Sequence, residues 1–372
     1  MGALERLLVL GAGTGQLGLL AAAKARGLFV IAVDRNPAAP GFRYADRRAI
    51  VSVEDEPALE RLAEAARIDA VIAPGADWPV GPAARIAARL GLAHPISPET
   101  AVLSTSKLRQ RERLAEAGIP QPRWQVVSKP DQVVGVPCVV RPPDRQGRRT
   151  RALVRSSREL RGAIAAALRS SRIGLALVEE LVEEPVVTVS AFSRGGAFHP
   201  LAVTDRAPLA HVWESPHAQQ AALTAARASR ALGIGEGPTV TQLLVGAGGP
   251  RVLELSARIG GGHEPDLCRA AVGVDLHALT LSAALGEPVS ARRLRTKRRA
   301  GGACVRFLDG AGPADGLAEA EALPGVEWVR VHGDTDRAGA VLATGGSPAE
   351  ALERATLAAE CIRFRPPHAH AV

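Results

Sequence analysis

At 372 residues the chain is long enough for two or three domains, each with a sizeable core. Hydrophobic residues make up 47% and charged residues 23%, which excludes a disordered, collagen-like or disulfide-scaffold protein, and no apolar run reaches the roughly 20 residues of a membrane span. The net charge of +8 rests almost wholly on arginine, and only 3% of residues are aromatic, so stacking platforms for a nucleic-acid strand are few and no nucleic-acid or membrane partner is expected. The four cysteines (Cys138, Cys268, Cys304, Cys361) are scattered, as buried thiols in a reducing cytosol would be. Met1 to Arg6 lacks the features of a secretion signal, and a cytoplasmic protein is expected.

In chain order, apolar runs at 7–10, 29–33, 50–53 and 70–73 read as strands. Residues 19–26, 56–67 and 85–90 have helical spacing. This rhythm predicts a parallel sheet with helices on both faces and right-handed crossovers. A polar helix is expected over 104–118, stopped by Gly118-Ile119-Pro120. Strands follow at 138–140, 152–154 and 176–178, with a helix over 157–170. The runs at 186–192 and 198–203 form an antiparallel pair around Ser193-Arg194-Gly195-Gly196. After a helix over 218–232, the runs 240–245 and 251–255 pair as a hairpin. The basic run over 292–299 reads as a solvated linker or surface strand, or alternatively as a patch for an anionic partner. Strands at 303–308, 326–332 and 340–344 precede a capping box, Ser347-Pro348-Ala349-Glu350, which opens the last helix.

Two patterns carry chemistry. Gly13-Thr14-Gly15-Gln16-Leu17-Gly18 fits G-x-G-x-x-G between a strand and a helix, and Asp34 ends the next strand, as in a nicotinamide-dinucleotide site. Glycines also make a plain tight turn, and the later chain offers no hydride-transfer site, so an NAD-dependent oxidoreductase is the lesser alternative. The second pattern is distributed. It comprises Ser106-Lys107 at a helix start, Arg141 at a strand end, Val178-Glu179-Glu180-Leu181-Val182, Thr241-Gln242-Leu243-Leu244, and Glu254-Leu255-Ser256-Ala257-Arg258-Ile259-Gly260-Gly261-Gly262-His263. In order and spacing this resembles the ATP-grasp superfamily, closest to carboxylate–amine ligases of the L-amino-acid ligase kind. The resemblance runs from about residue 5 to about 290. It implies an α/β and α+β protein with the ATP-grasp fold. A Rossmann-like parallel-sheet domain would span 1–103, an ATP-grasp domain 104–290 with a lid at about 123–180, and a small C-terminal α+β domain 291–372.

The resemblance also implies roles. Lys107 and Arg141 would neutralise the triphosphate of ATP, one as a mobile point charge and one as a fixed fork. Residues 179–182 would form the hinge under the adenine: a backbone carbonyl or the Glu179 carboxylate takes the exocyclic amine, Glu180 lies beside it, and Val182 N–H donates to the ring. Mg²⁺ would be held by Glu254 and Gln242 on facing strands, and by Ser256 directly or through water. Arg258 and Arg141 would be the catalytic cations, Arg258 reaching the transferred phosphoryl. Gly261, Gly262 and His263 would line the acceptor side, with Glu264 beside them. The implied reaction makes an acyl phosphate from a carboxylate and ATP, then an amide from an amine, releasing ADP and phosphate. A bicarbonate-using carboxylase or carbamoyl-type enzyme, or a non-catalytic nucleotide-binding descendant, stays open. By analogy a homodimer through the N-terminal domain is expected. The sequence departs from its relatives in the arginine-rich loop 144–151, and in Val186 and Ser190 where acids are common. The substrate-facing loops 207–216 (with His211 and Trp213) and 260–267 do not identify the substrates.

Overall fold

In β1 (Arg6–Leu10) successive side chains divide between two cores: Leu7 and Val9 join one, Leu8 and Leu10 the other, and all four are fully buried. A strand buried on both faces belongs inside a parallel sheet. In this computed structural model, which describes residues 4–132, 135–145, 151–205, 209–210, 216–332 and 338–365, that is where β1 lies. α1 (Leu17–Ala25) supplies Leu19, Leu20 and Ala23 to the first core. β2 (Phe29–Val33) pairs with β1, and β3 (Arg47–Ala49) with β2. α2 (Glu56–Ala66) and α3 (Val80–Leu90) fill the second core, and β4 (Ala70–Ile72) closes the parallel order β3-β2-β1-β4. The third strand thus lies at 47–49 rather than 50–53. Val51 and Val53 do pack against the second core, but from a segment past the ladder that leads to Asp55, the cap of α2.

The polar helix expected over 104–118 is two helices, α4 (Pro98–Thr105) and α5 (Lys107–Glu116). The break is at Ser106, whose extended backbone ends α4 and whose hydroxyl accepts the Arg109 N–H to cap α5. Lys107 is therefore the first residue of a helix.

A second, antiparallel sheet follows. It contains β5 (Trp124–Val127), β6 (Cys138–Arg141), β7 (Ala152–Val154) and, after α6 (Ser157–Ser170), β8 (Ala176–Glu180), in the order β5-β8-β6-β7. Val140, Val154, Ile164 and Val178 form its core. The third sheet has the order β10-β9-β12-β13. β9 (Val186–Arg194) and β10 (Ala197–Asp205) come first. β11 (Leu209–Ala210) and α7 (Pro216–Ala231) lead into the hairpin of β12 (Gly237–Gly246) and β13 (Gly249–Ser256). Next come α8 (Glu264–Val272) and α9 (Leu276–Ala284), both largely buried.

The last sheet, β11-β14-β17-β16, is antiparallel and carries α11 on one side. Its strands are β14 (Gly302–Leu308), β16 (Val326–Val331) and β17 (Gly339–Gly345), with β15 (Ala314–Asp315) and α10 (Leu317–Glu321) between the first two. α11 (Pro348–Cys361) is capped by Ser347 as its capping box predicts, and β18 (Arg363–Phe364) pairs back to β15. One core runs from Val9 and Ala23 through Leu267 and Leu279 to Ala303 and Leu342, so the parallel sheet, α8–α9 and the last sheet pack together. The basic run is a surface connection: Arg292, Arg293, Arg295 and Arg298 are exposed while the Lys297 and Arg299 amides hydrogen-bond to carbonyls at the end of α8. The four cysteines are free, three of them buried. No single described helix is long and apolar enough to cross a membrane.

Candidate nucleotide and acceptor site

The site is built on a staple between α5 and β13. Gln110 is buried; its amide donates to the Leu255 carbonyl at 2.7 Å and accepts the Leu255 N–H at 2.9 Å. Arg111, 2% exposed, donates to the carbonyls of Val252 and Leu253 at 2.9 and 2.7 Å. Two consecutive side chains thereby fix the start of α5 against the strand that carries Glu254.

Around this staple the charges gather. Glu179 on β8 is buried between two guanidinium groups, Arg111 at 2.7 Å and Arg141 at 2.6 Å. Burial opposes its charge, but the two arginines outweigh burial and hold the carboxyl below its ordinary range. Lys107 Nζ donates to the Arg145 carbonyl at 3.0 Å and lies 3.8 Å from Glu254 Oε1. Burial pushes its ammonium pKa down, Glu254 pulls it back up, and Arg141, Asp77 and Glu179 all act on it at close range. Glu254 faces Gln242 directly across the hairpin, where their oxygens share one face.

Past β13 the chain reaches Arg258. Its Nε bonds Asp77 at 2.6 Å and its Nη1 donates to the Ile259 carbonyl at 2.9 Å. Burial works against the Asp77 charge, yet Arg258, with help from the Ser256 hydroxyl and Lys107, keeps the carboxyl below its usual range. A Cβ on Gly260 would stand 1.3 Å from Glu264 Oε2, so a larger residue there would have to displace the buried Glu264 side chain. The segment then enters a cavity of about 110 Å³ lined by Gly260, Gly262, His263, His277, Phe307 and His332 among others. Burial keeps His277 below its ordinary pKa and brings His332 down to about 4.

No protein-family model matches the chain. It is 27% identical over 256 residues to an uncharacterized protein of Sinorhizobium fredii, a match that spans 63% of this chain and 53% of that one, about half its length. It is 29% identical to the formate-dependent phosphoribosylglycinamide formyltransferase of Burkholderia thailandensis, over 96% of this chain and 95% of that one. The crystal structure of the L-amino acid ligase from Bacillus licheniformis superposes with a TM-score of 0.83 at 18% identity, covering 98% of this chain and 100% of that chain. The chain has the fold of these proteins, the ATP-grasp fold.

Within the ATP-grasp frame, Lys107, Arg141, Glu179, Glu254, Ser256 and Arg258 form one connected group, and Gly261, Gly262 and His263 continue from it. Glu179 was expected to offer its carboxylate or a backbone carbonyl; the carboxylate is engaged by Arg111 and Arg141. Glu180, adjacent on the strand, points the other way and takes the Arg123 N–H and Nε at 3.2 and 3.4 Å, with Val182 half-buried in the turn beyond. Ser256 is buried and its hydroxyl serves Asp77. Residues 146–150 of the arginine-rich loop and residues 206–208 and 211–215, with His211 and Trp213, lie outside the described residues.

The glycine-rich turn does not form a dinucleotide site. The Asp34 carboxylate is spent on the Ala12 and Asn36 amides at 3.0 and 2.9 Å, and the Gly41 N–H closes over the turn onto the Ala12 carbonyl at 2.7 Å. A Cβ on Gly18, the third motif glycine, would sit 2.4 Å from His277 Nε2: that glycine admits a side chain of α9, not a pyrophosphate.

Three residues of the group went unread in the sequence: Asp77, Gln110 and Arg111. Asp77 follows β4 at the carboxyl end of a parallel strand, where ligand crevices form, and that position was the available signal. Gln110 and Arg111 carried none, since charged residues on a polar helix read as solvated.

Proposed function

We propose that the chain is an ADP-forming ligase that joins a small carboxylate to an amine through an acyl phosphate. One juxtaposition carries this reading. Lys107 stands 3.8 Å from Glu254, within the field of Arg141, and the chain beyond Glu254 carries Arg258 and then Gly260, Gly262 and His263, which line the imidazole cavity. Two cations beside a carboxylate suit a triphosphate with a divalent ion, whereas a carboxylate alone would repel it. The described residues hold no cluster of three or more His, Cys, Asp or Glu that could bind a metal by themselves. Mg²⁺ fits this donor set, because it is commonly held by one or two carboxylates with phosphates and waters completing the shell. Glu254 and the Gln242 amide oxygen would hold it; when bound, it draws charge from the β- and γ-phosphates.

The protein's own part is positioning. Lys107 and Arg141 orient the triphosphate, and the backbone at 180–182 seats the adenine. Arg258, locked by Asp77, meets the phosphoryl group as it passes to the carboxylate. Gly261, Gly262 and His263 face the incoming amine. The likeness to an L-amino acid ligase and to a formate-dependent formyltransferase supports a small carboxylate as the first substrate. The division at 103/104 and 290/291, a cytoplasmic place and a homodimer through the parallel-sheet domain belong to the same proposal, as does the absence of nucleic-acid and membrane partners.

The test is ADP and phosphate release over a matrix of carboxylates (formate and the common L-amino acids) and amines, with mass spectrometry of the product. ADP release that requires Mg²⁺ and rises on addition of both substrates is expected, with a product lighter than their sum by one water. No ADP release across the matrix, together with no thermal stabilisation by Mg·ATP, contradicts the reading.

A further inference from the structure

Three imidazoles line one cavity, and among the described residues only His263 hydrogen-bonds to a carboxylate. His263 Nδ1 lies 3.2 Å from Asp266 Oδ2, and the same oxygen accepts Arg330 Nη1 at 3.1 Å, with Arg330 Nη2 3.5 Å from Oδ1. Burial opposes the charge of Asp266; the His263 bond and Arg330 overcome it and bring its pKa down to about 2. An ionised carboxylate can only accept, so the proton of a neutral His263 sits on Nδ1 and the lone pair on Nε2. The ring is wedged by Trp328, 4.8 Å away and tilted, and stacked at 6.0 Å on His332. Its backbone is left-handed, with φ of +70°, an unusual conformation for a residue other than glycine. His263 stands at the N-cap of α8, yet its side chain makes no capping bond; it faces the cavity. The other two imidazoles lack this orientation: both ring nitrogens of His277, and Nε2 of His332, are buried with no hydrogen-bond partner among the described residues.

Amide formation leaves a proton to be removed. We infer that His263 Nε2 is the general base for the attacking amine, and that Asp266 is the residue that positions it. This rests on the ligase reading above. In the step, the amine lone pair forms the bond to the acyl carbon and the carbon–oxygen bond to phosphate breaks. Phosphate leaves with that electron pair, the N–H proton passes to Nε2, and His263 then returns it to solvent. The cavity reaches His263 by way of Gly260 and Gly262, directly after Arg258, so the base sits one short loop beyond the residue assigned to the phosphoryl group.

Hydroxylamine separates this role from the rest of the reaction. It is a strong nucleophile of low basicity, attacks an acyl phosphate without a base, and yields a hydroxamate. Formate and each common L-amino acid are offered as carboxylate with Mg·ATP, and either hydroxylamine or an L-amino acid as acceptor. In His263→Asn, chosen because asparagine tolerates the left-handed backbone, the ratio of amide to hydroxamate is expected to fall by about 100-fold or more. Asp266→Asn shifts the ratio the same way by less, and added imidazole restores amide formation to His263→Gly. If both products fall together in His263→Asn, or amide formation persists, His263 is not the base. A wild-type protein that makes neither product with any carboxylate removes the ligase reading itself, a result distinct from an unchanged ratio.

Discussion

Arg258→Ala is expected to lower ADP release by about 100- to 1,000-fold, the cost of one donor aimed at transition-state charge. Two bonds, to Asp77 and to the Ile259 carbonyl, fix the guanidinium, and its side chain is only 14% exposed. Alanine also strands Asp77, and removing one member of a buried pair costs about 3–5 kcal/mol. Arg258→Lys separates the two effects. Its ammonium can still neutralise Asp77, so most of the stability returns, but it lacks the planar fork. Denaturation and ADP release measured on both variants read the two quantities independently. A lysine variant that recovers both would make Arg258 a structural residue only.

The second large effect is at Glu179. Glu179→Ala leaves Arg111 and Arg141 facing each other without a counter-ion, and about 3–5 kcal/mol of stability should be lost. Arg141→Ala behaves differently. Glu179 keeps Arg111, the more deeply buried partner at 2% exposure against 15% for Arg141, so denaturation midpoints move less. Among the described residues Arg141 Nε has no hydrogen-bond partner, which suits a group that awaits a ligand, and the variant's main deficit is expected in Mg·ATP affinity. Urea denaturation and calorimetric titration of both variants check the contrast; equal stability losses would mean that Arg141 serves only the ion-pair network.

Much of this architecture was legible because it is local. The alternation in Leu7–Leu10 reports two buried faces, and the turn at 246–250 puts Gln242 and Glu254 on facing strands, although their direct opposition comes from a register shift after Gln242 that the turn does not set. Lys107 at a helix start and Arg141 at a strand end were legible through resemblance. The rest depends on pairs far apart in the chain. Arg258 meets Asp77 181 residues away, and Arg111 meets Glu179 68 residues away; no periodicity carries such information. α8 and α9 escaped for another reason. α9 is covered on nearly all sides and lacks the polar face that marks a surface helix, while α8 buries Glu264 and Asp266, whose charges read as solvent-facing. The glycine motif is ambiguous in sequence because close packing against His277 demands the same residue as close approach to a phosphate.

Lys107, Arg141 and Glu254 are expected to close around one triphosphate. Calorimetric titration of the full-length protein with Mg·ATP, and separately with NADH, tests it most directly. Saturable binding of one Mg·ATP per chain is expected, weakened at least ~10-fold in Lys107→Ala for the loss of a charge-assisted contact, with no binding of NADH. Heat of binding with NADH alone, or Mg·ATP affinity that Lys107→Ala leaves intact, would contradict it.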